Sequence, residues 1–424
     1  MLMLPISATR PSLSLIDAVF MAVSATCVTG LSVIDIGSDL SGFGQSILLI
    51  LIQLGGLGIM TFSTLFIYLI GRKASIKSRD VIGSTLNFSV SKDIRRLIRR
   101  IMLLVVGSEL MGAILLSFCF LPTRSVHDAM LSGFFHSVSA FCNAGFSLNP
   151  TSFECYSGHW PVNLILIFLI VTGGLGFVVL IDLKHRFIGH NKEKKRLSFH
   201  SKVVLSLTAG LLITGTLVLF VAENIHGTES GKAFGFLTAL FQSVTARTAG
   251  FDTIPINQLS NASLFILMVL MFIGAAPGSC GGGIKVTTFG VLIMLLVSRL
   301  KGQEEPQLFN RSLSMSTINK VSVIALFAIL IVVVGFLGLL ITENHLDTTQ
   351  HGHGAFEQLL FETISAYGTV GLSLGITPQL TVGGKMIIIF LMFVGRLGPL
   401  TVAVALSKPR QGRYRYATGD IMVG

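Results

Sequence analysis

The feature that most constrains this chain is a succession of apolar runs near twenty residues long, at about 43–70, 98–121, 161–183, 203–222, 263–298, 321–341 and 384–406. A helix rises about 1.5 Å per residue, so about twenty apolar residues cross a hydrocarbon core roughly 30 Å thick. Runs of that length, repeated along 424 residues, call for lipid as the solvent. The charge content agrees, because Asp, Glu, Lys and Arg make up 12% of the chain, about half of the ~25% usual in soluble proteins. An ordinary cytosolic, disordered or disulfide-rich secreted chain is excluded. Cys27, Cys119, Cys142, Cys155 and Cys280 are scattered and never spaced as CxxC, so they form neither a disulfide framework nor a zinc site.

The fifth run is too long for one straight helix, and its middle, Gly274 to Gly283, reads GAAPGSCGGG. Such a stretch does not propagate a helix, so a break is expected there. Broken backbone at membrane depth survives only where protein or a water-filled cavity satisfies its polar groups.

Basic residues set the orientation. The segments Arg72–Arg100, Lys184–Lys202, Arg299–Lys320 and Lys408–Arg415, which follow the first, third, fifth and last runs, hold 24 of the 31 Lys and Arg. By the positive-inside rule they lie in the cytoplasm. The net charge of +11 is therefore mostly a signal of topology, not of nucleic-acid binding. Opposite them stand Asp35, Asp39, Glu154, Glu223, Glu229, Asp252, Glu343 and Asp347, which predict an acidic outer mouth that concentrates cations.

Between the long runs lie four shorter segments, each ending in a short glycine motif: SATCVTGL (Ser24–Leu31), SAFCNAGF (Ser139–Phe146), ARTAGF (Ala246–Phe251) and ETISAYGTVGL (Glu362–Leu372). The glycines Gly30, Gly145, Gly250 and Gly371 are 115, 105 and 121 residues apart. An amphipathic run too short to span precedes each of them (Leu15–Ser24, Met130–Ser139, Phe234–Thr245, Phe356–Ser365), and a long run follows. The chain thus reads as an all-α membrane protein. Four pseudo-symmetric units of helix, re-entrant pore helix and helix, at residues 1–75, 76–190, 191–305 and 306–424, surround one central pore. The first unit is expected to lack its leading span, because Met1–Pro11 is too short to cross a bilayer, and a start further upstream is favoured.

Small and β-branched residues before each glycine predict extended backbone with carbonyls pointing inward, where four strands stack rings of oxygens that replace a cation's water shell. Glycine suits the turn because it accepts φ > 0 and leaves no side chain in the path. The short helices would aim their partly negative C-termini at the axis. One such glycine alone would read as a tight turn; four at matching places favour a shared central site.

These motifs, together with QLGGLGIMT (Gln53–Thr61), GSCGGGIKVTTF (Gly278–Phe289) and GRLGPLT (Gly395–Thr401), resemble the Trk/Ktr/HKT superfamily of potassium transporters, and most of all its Ktr-type membrane subunit, over essentially the whole chain. The resemblance implies K⁺ uptake across a bacterial cytoplasmic membrane, a homodimer, and a cytoplasmic nucleotide-binding ring of RCK type as regulator. It implies that Gly30, Gly145, Gly250 and Gly371 form a selectivity filter. Val28, Thr29, Asn143, Ala144, Thr248, Ala249, Thr369 and Val370 would supply backbone oxygens, and glycine at all four positions goes with potassium over sodium. It implies a gate below the filter made by Gly278, Ser279, Cys280, Gly281, Gly282 and Gly283. Arg396, a mid-span charge that needs a polar interior, would stand near that gate. K⁺ is then substrate, no cofactor is expected on this chain, and Na⁺ stimulation is left open.

Other residues have plainer expectations. Glu109 reads as a packed, hydrogen-bonded carboxyl, Glu362 as a brace of the fourth short helix, and Asp17 as a cap of the first. Lys285 is expected to reach the cytoplasmic boundary. The basic loops at Arg72–Arg100 and Lys184–Lys202 suit either the regulator or lipid headgroups. Enzyme signatures are lacking: Ile284 separates Gly283 from Lys285, which breaks a Walker loop, and Gly173–Gly176 lies within a span and not after a strand. His351 and His353 have no third metal ligand nearby in sequence. The alternative is a Na⁺- or H⁺-coupled cation symporter.

Overall fold

The computed structural model describes residues 1–9, 13–57, 94–187, 197–226, 234–303, 306–309, 311–344 and 354–398. The basic stretches at Arg72–Lys92, Lys192–Arg196 and Lys408–Arg415 lie outside these residues, as do Glu229, Asp347, His351, His353 and the ends of two motifs at Gly58–Thr61 and Pro399–Thr401.

The described chain is almost wholly helical. It opens with α1 (Leu15–Cys27), a short α2 (Ile36–Asp39) and α3 (Gly42–Gly56). Next come α4 (Ile94–Phe120), α5 (Val126–Phe141), α6 (Trp160–Gly174) and α7 (Phe177–Phe187), then α8 (Phe199–His226), α9 (Phe236–Thr245), α10 (Asn261–Phe272) and α11 (Val286–Leu300). A small antiparallel hairpin, β1 (Gln307–Leu308) with β2 (Arg311–Ser312), precedes α12 (Met315–Thr342), α13 (Ala355–Gly368) and α14 (Val382–Leu397).

Segments Arg99–Phe120, Phe199–Ile225 and Met315–Thr342 are long and apolar enough to cross a membrane. They match the runs expected at 98–121, 203–222 and 321–341. Leu103, Ile114, Phe118, Leu326, Leu330 and Val334 stand exposed on α4 and α12, an apolar surface that suits acyl chains and not water. Serine caps start two of the short helices. The hydroxyls of Ser14 and Ser125 each accept the backbone N–H of Asp17 or Asp128 at 3.2 Å and donate to the carboxylate of the same residue. The cap of α1 is therefore Ser14, and Asp17 instead pairs with Lys385 at the start of α14, at 2.7 Å.

Two of the expected spans are broken. The fifth breaks as its sequence requires, between α10 and α11. The third, expected to be continuous over 161–183, bends by 108° between α6 and α7. Gly176 takes φ +87° at the bend, a conformation cheap only for glycine. The freed backbone pairs with the loop after α10: Phe177 N donates to Gly278 O at 3.0 Å and Ala276 N to Gly174 O at 3.0 Å. Each break thus satisfies the other.

The apolar core runs around the molecule in overlapping clusters. One joins α1, α3, α5, α13 and α14 through Phe20, Leu48, Val138, Ala366 and Ile388. A second joins α4, α5, α6 and α9 through Leu116, Phe141, Leu166 and Phe241, and a third joins α8, α10 and α13 through Leu219, Leu267 and Phe361. In lipid the transfer of such side chains from water contributes little to helix association, so close van der Waals packing and hydrogen bonds between helices hold distant parts of the chain together.

Candidate cation pathway

Helices α1, α5, α9 and α13 each end just short of a motif glycine. Gly30, Gly145, Gly250 and Gly371 have φ of +98°, +69°, +77° and +96°. The residue two positions earlier is left-handed as well: Val28 at 57°, Asn143 at 59°, Thr248 at 73° and Thr369 at 51°. The backbone before the glycines is therefore not extended as expected. Successive residues of an extended strand face opposite ways, and left-handed residues two positions apart break that alternation. A left-handed β-branched residue is strained, and it occurs here in three of the four turns.

Serines six residues before three of the glycines hold this geometry. Ser24 Oγ donates to Leu31 O at 2.7 Å and Ser139 Oγ to Phe146 O at 2.8 Å, while Ser365 Oγ accepts the Gly371 N–H at 3.1 Å. Their common offset from the glycines is the signal in the sequence that marks these serines.

The four turns meet one another in a closed order. A Cβ on Gly30 would come 2.5 Å from Ala144 O and 3.2 Å from Gly145 Cα; one on Gly145 would come 2.7 Å from Ala249 O and 2.9 Å from Gly250 Cα. One on Gly250 would strike Val370 O, and one on Gly371 would strike Thr29 O. First turn touches second, second third, third fourth, and fourth first. Thr29, Ala144, Ala249 and Val370 thus bring their carbonyls to the neighbouring glycine, with Val28, Asn143, Thr248 and Thr369 buried behind them. The side chains of Asn143 and Thr248 meet at 3.3 Å, tying the second turn to the third.

On one side all four glycines line one open cavity of about 340 Å³, walled also by Ser32, Asp35, Ser147, Asp252 and Ser373, the side expected from the sequence to face outward. The outer acids are fewer at this mouth than their sequence suggested. Glu223 and Glu343 are buried and accept from the caps of the next helices, Ser260 N at 3.0 Å and Thr381 N at 3.1 Å. Asp35 caps α2 by accepting the Gly37 N–H at 3.0 Å. Partial desolvation of the half-buried Asp252 by the protein packed around it, with Glu154 nearby, pushes its carboxyl up to about 7.

On the other side the Gly278–Gly283 loop lies directly against the turns. A Cβ on Gly281 would strike the Thr248 hydroxyl and one on Gly282 the Thr369 hydroxyl, to which Gly282 N donates at 3.1 Å. The loop is held from several directions. Cys280 N donates to Gly173 O at 3.2 Å, Gly283 N to Gly395 O at 3.3 Å, and Ser279 Oγ to Ala276 O at 2.6 Å. Arg396 donates to the carbonyls of both Cys280 and Gly55, joining the loop to the end of α3. Lys285 does not extend away as expected, because its Nζ turns back to Gly281 O at 2.6 Å.

The remaining carboxyls are braces. Glu109 accepts from Gln53 Nε2 at 3.3 Å. Glu362 accepts from Ser373 Oγ at 2.8 Å and from Thr377 Oγ1, so it supports the loop after the fourth turn. Among the described residues no three His, Cys, Asp or Glu side chains gather as a metal site.

The chain is 39% identical over 427 residues to the Ktr system potassium uptake protein B of Bacillus subtilis (strain 168), covering 100% of this chain and 93% of that protein. It is 35% identical to the protein of the same name from Vibrio alginolyticus, over 97% of this chain and 89% of that one. It is also 35% identical to the potassium/sodium uptake protein NtpJ of Enterococcus hirae, over 96% and 90%. Its fold is similar to the crystal structure of the potassium transporter TrkH from Vibrio parahaemolyticus, with a TM-score of 0.70 at 20% identity over 93% of this chain and 79% of that one. The sequence model of the TrkH family, described as cation transport protein, matches residues 2–415. The chain therefore belongs to the TrkH family of cation transport proteins and is a membrane protein of transport, not an enzyme.

Proposed function

We propose that this chain carries K⁺ across the cytoplasmic membrane of a bacterium along the axis of the four glycine turns. The closed contact order of those turns carries the reading, because it brings four carbonyls from distant parts of the chain to one place. A monovalent cation there exchanges its water shell for the main-chain oxygens of Val28, Thr29, Asn143, Ala144, Thr248, Ala249, Thr369 and Val370. No side chain can enter the ring at Gly30, Gly145, Gly250 or Gly371, and the C-terminal ends of α1, α5, α9 and α13 add partial negative charge. The four units at 1–75, 76–190, 191–305 and 306–424 each contribute one turn.

The Gly278–Gly283 loop, pressed against Thr248 and Thr369 on the cytoplasmic side, closes the path, and Arg396 latches it to α3 and adds an electrostatic barrier. The potassium uptake relatives support the substrate, and their designation as a Ktr system supports a second component. We assign that component to a cytoplasmic nucleotide-binding ring of RCK type acting on a homodimer of this chain. The potassium/sodium relative supports a stimulating role for Na⁺. Flux from purified protein in liposomes tests the whole. K⁺ and Rb⁺ should move down their own gradients far faster than Na⁺. K⁺ accumulation driven only by an imposed Na⁺ or H⁺ gradient would replace the pore with a coupled symporter.

A further inference from the structure

Three of the four turns continue outward in the same way. Two residues past the glycine stands a serine, Ser32, Ser147 or Ser373, whose hydroxyl accepts the backbone N–H two residues further on. These donors are Ile34 at 3.3 Å, Asn149 at 3.0 Å and Gly375 at 3.0 Å. Each hydroxyl also meets the side chain nine residues before its glycine: Met21 Sδ at 3.4 Å, His136 Nε2 at 3.0 Å and the Glu362 carboxylate at 2.8 Å. In all three the polar group is consumed within the protein.

The third turn departs at both positions. Its inner residue is Phe241, fully buried, and its outer residue is Asp252. A phenyl ring offers a carboxylate neither a donor nor a positive charge. Among the described residues no side chain donates to the Asp252 carboxylate or pairs with it. Ser32, Ser147, Asp252 and Ser373 nevertheless share the wall of the outer cavity with the four glycines. Asp252 is thus the one member of this ring whose polar group stays available to what enters the cavity.

We propose that Asp252 makes the outer cavity an entry site for a hydrated monovalent cation, held beside the third turn before it sheds water and passes the glycines. The inference rests on the reading of those glycines as the K⁺ path and adds the step before it. The cavity of about 340 Å³ accommodates an ion with six waters, which at about 30 Å³ each fill about 180 Å³. A single carboxylate met through water concentrates cations without ranking them by size, so the site acts on capture and not on choice of ion.

The test is initial-rate K⁺ uptake at low and high ionic strength by D252N, D252E and D252K, with G371S alongside, in a bacterium that lacks its own K⁺ uptake. D252N should raise the KM for K⁺ about three- to tenfold at low ionic strength, with maximal rate and preference over Na⁺ little changed. D252E should restore the KM, D252K should raise it further, and the differences should shrink as salt screens the charge. A wild-type KM for D252N at low ionic strength overturns the entry site, and so does a D252N defect confined to the maximal rate. Loss of K⁺ preference in G371S with no KM change in D252N leaves the glycine path standing and removes the entry site alone. Unchanged preference in G371S with a raised KM in D252N places the failure in the glycine path and keeps the capture site.

Discussion

Replacing Gly371 with serine puts the ring of turns to a quantitative test. The residue sits at φ +96°, and a Cβ there would strike Thr29 O and lie 3.0 Å from Gly30 Cα. Both neighbours are backbone, so the overlap can be relieved only by moving the first turn away from the fourth. The left-handed conformation alone costs a non-glycine residue about 1–2 kcal/mol. If that strain falls on the ion-bound geometry, discrimination of K⁺ over Na⁺ drops about five- to thirtyfold, since 1.4 kcal/mol is tenfold. Gly375 supplies the control, because it has nearly the same φ, +94°, with nothing within 4 Å of its added Cβ. Gly375→Ser carries the backbone strain without touching the ring. Competitive Rb⁺ and Na⁺ uptake, with surface expression measured in parallel, should separate the two variants. Equal ion preference in Gly371→Ser and wild type at matched expression would refute the argument, as would an equal loss in both serine variants.

Deleting Gly278–Gly283 should raise K⁺ flux, and Arg396→Gln should do so to a smaller degree, because the arginine donates to Cys280 O and Gly55 O, bonds worth about 1.5–3 kcal/mol each when charged; unchanged or lower flux from folded protein removes the gate. The Asp17–Lys385 pair, 2.7 Å long with 24% and 12% of the two side chains exposed, should show a coupling of about 1 kcal/mol in a double-mutant cycle read by thermal unfolding, and strict additivity would count against it. The Asp252 carboxyl, raised to about 7 by partial desolvation and by Glu154, is charged above that pH and neutral below it. Uptake at low K⁺ and low ionic strength should therefore fall as external pH drops through about 7, and Asp252→Asn should flatten the profile; an equally steep profile in the variant assigns the dependence elsewhere.

Much of the architecture was legible because it rests on local pattern. Lipid as solvent follows from the length of the apolar runs, the break after α10 from GAAPGSCGGG, and the four turns from glycines at matching distances after short helices. These are properties of neighbouring residues, and helix length, backbone freedom and side-chain polarity act at that range. The serines that brace three turns were equally present in the chain, six residues before Gly30, Gly145 and Gly371, and were missed because a serine in a helix has many uses.

What only tertiary structure decided concerns groups more than about thirty residues apart. The bend between Gly174 and Phe177 exists because the loop at Ala276–Cys280 supplies its hydrogen-bond partners. Glu223 and Glu343 read as mouth acids in the sequence, yet they face inward because helix caps 37 and 38 residues on need acceptors. The left-handed Val28 and Thr369 run against their own preferences and hold only where the first and fourth turns close on each other. Asp252 faces the shared cavity only because the four turns, each more than a hundred residues from the next, close on one another. Local propensity chose the elements of this chain; closure of contacts between residues hundreds of positions apart chose which polar groups remained for an ion.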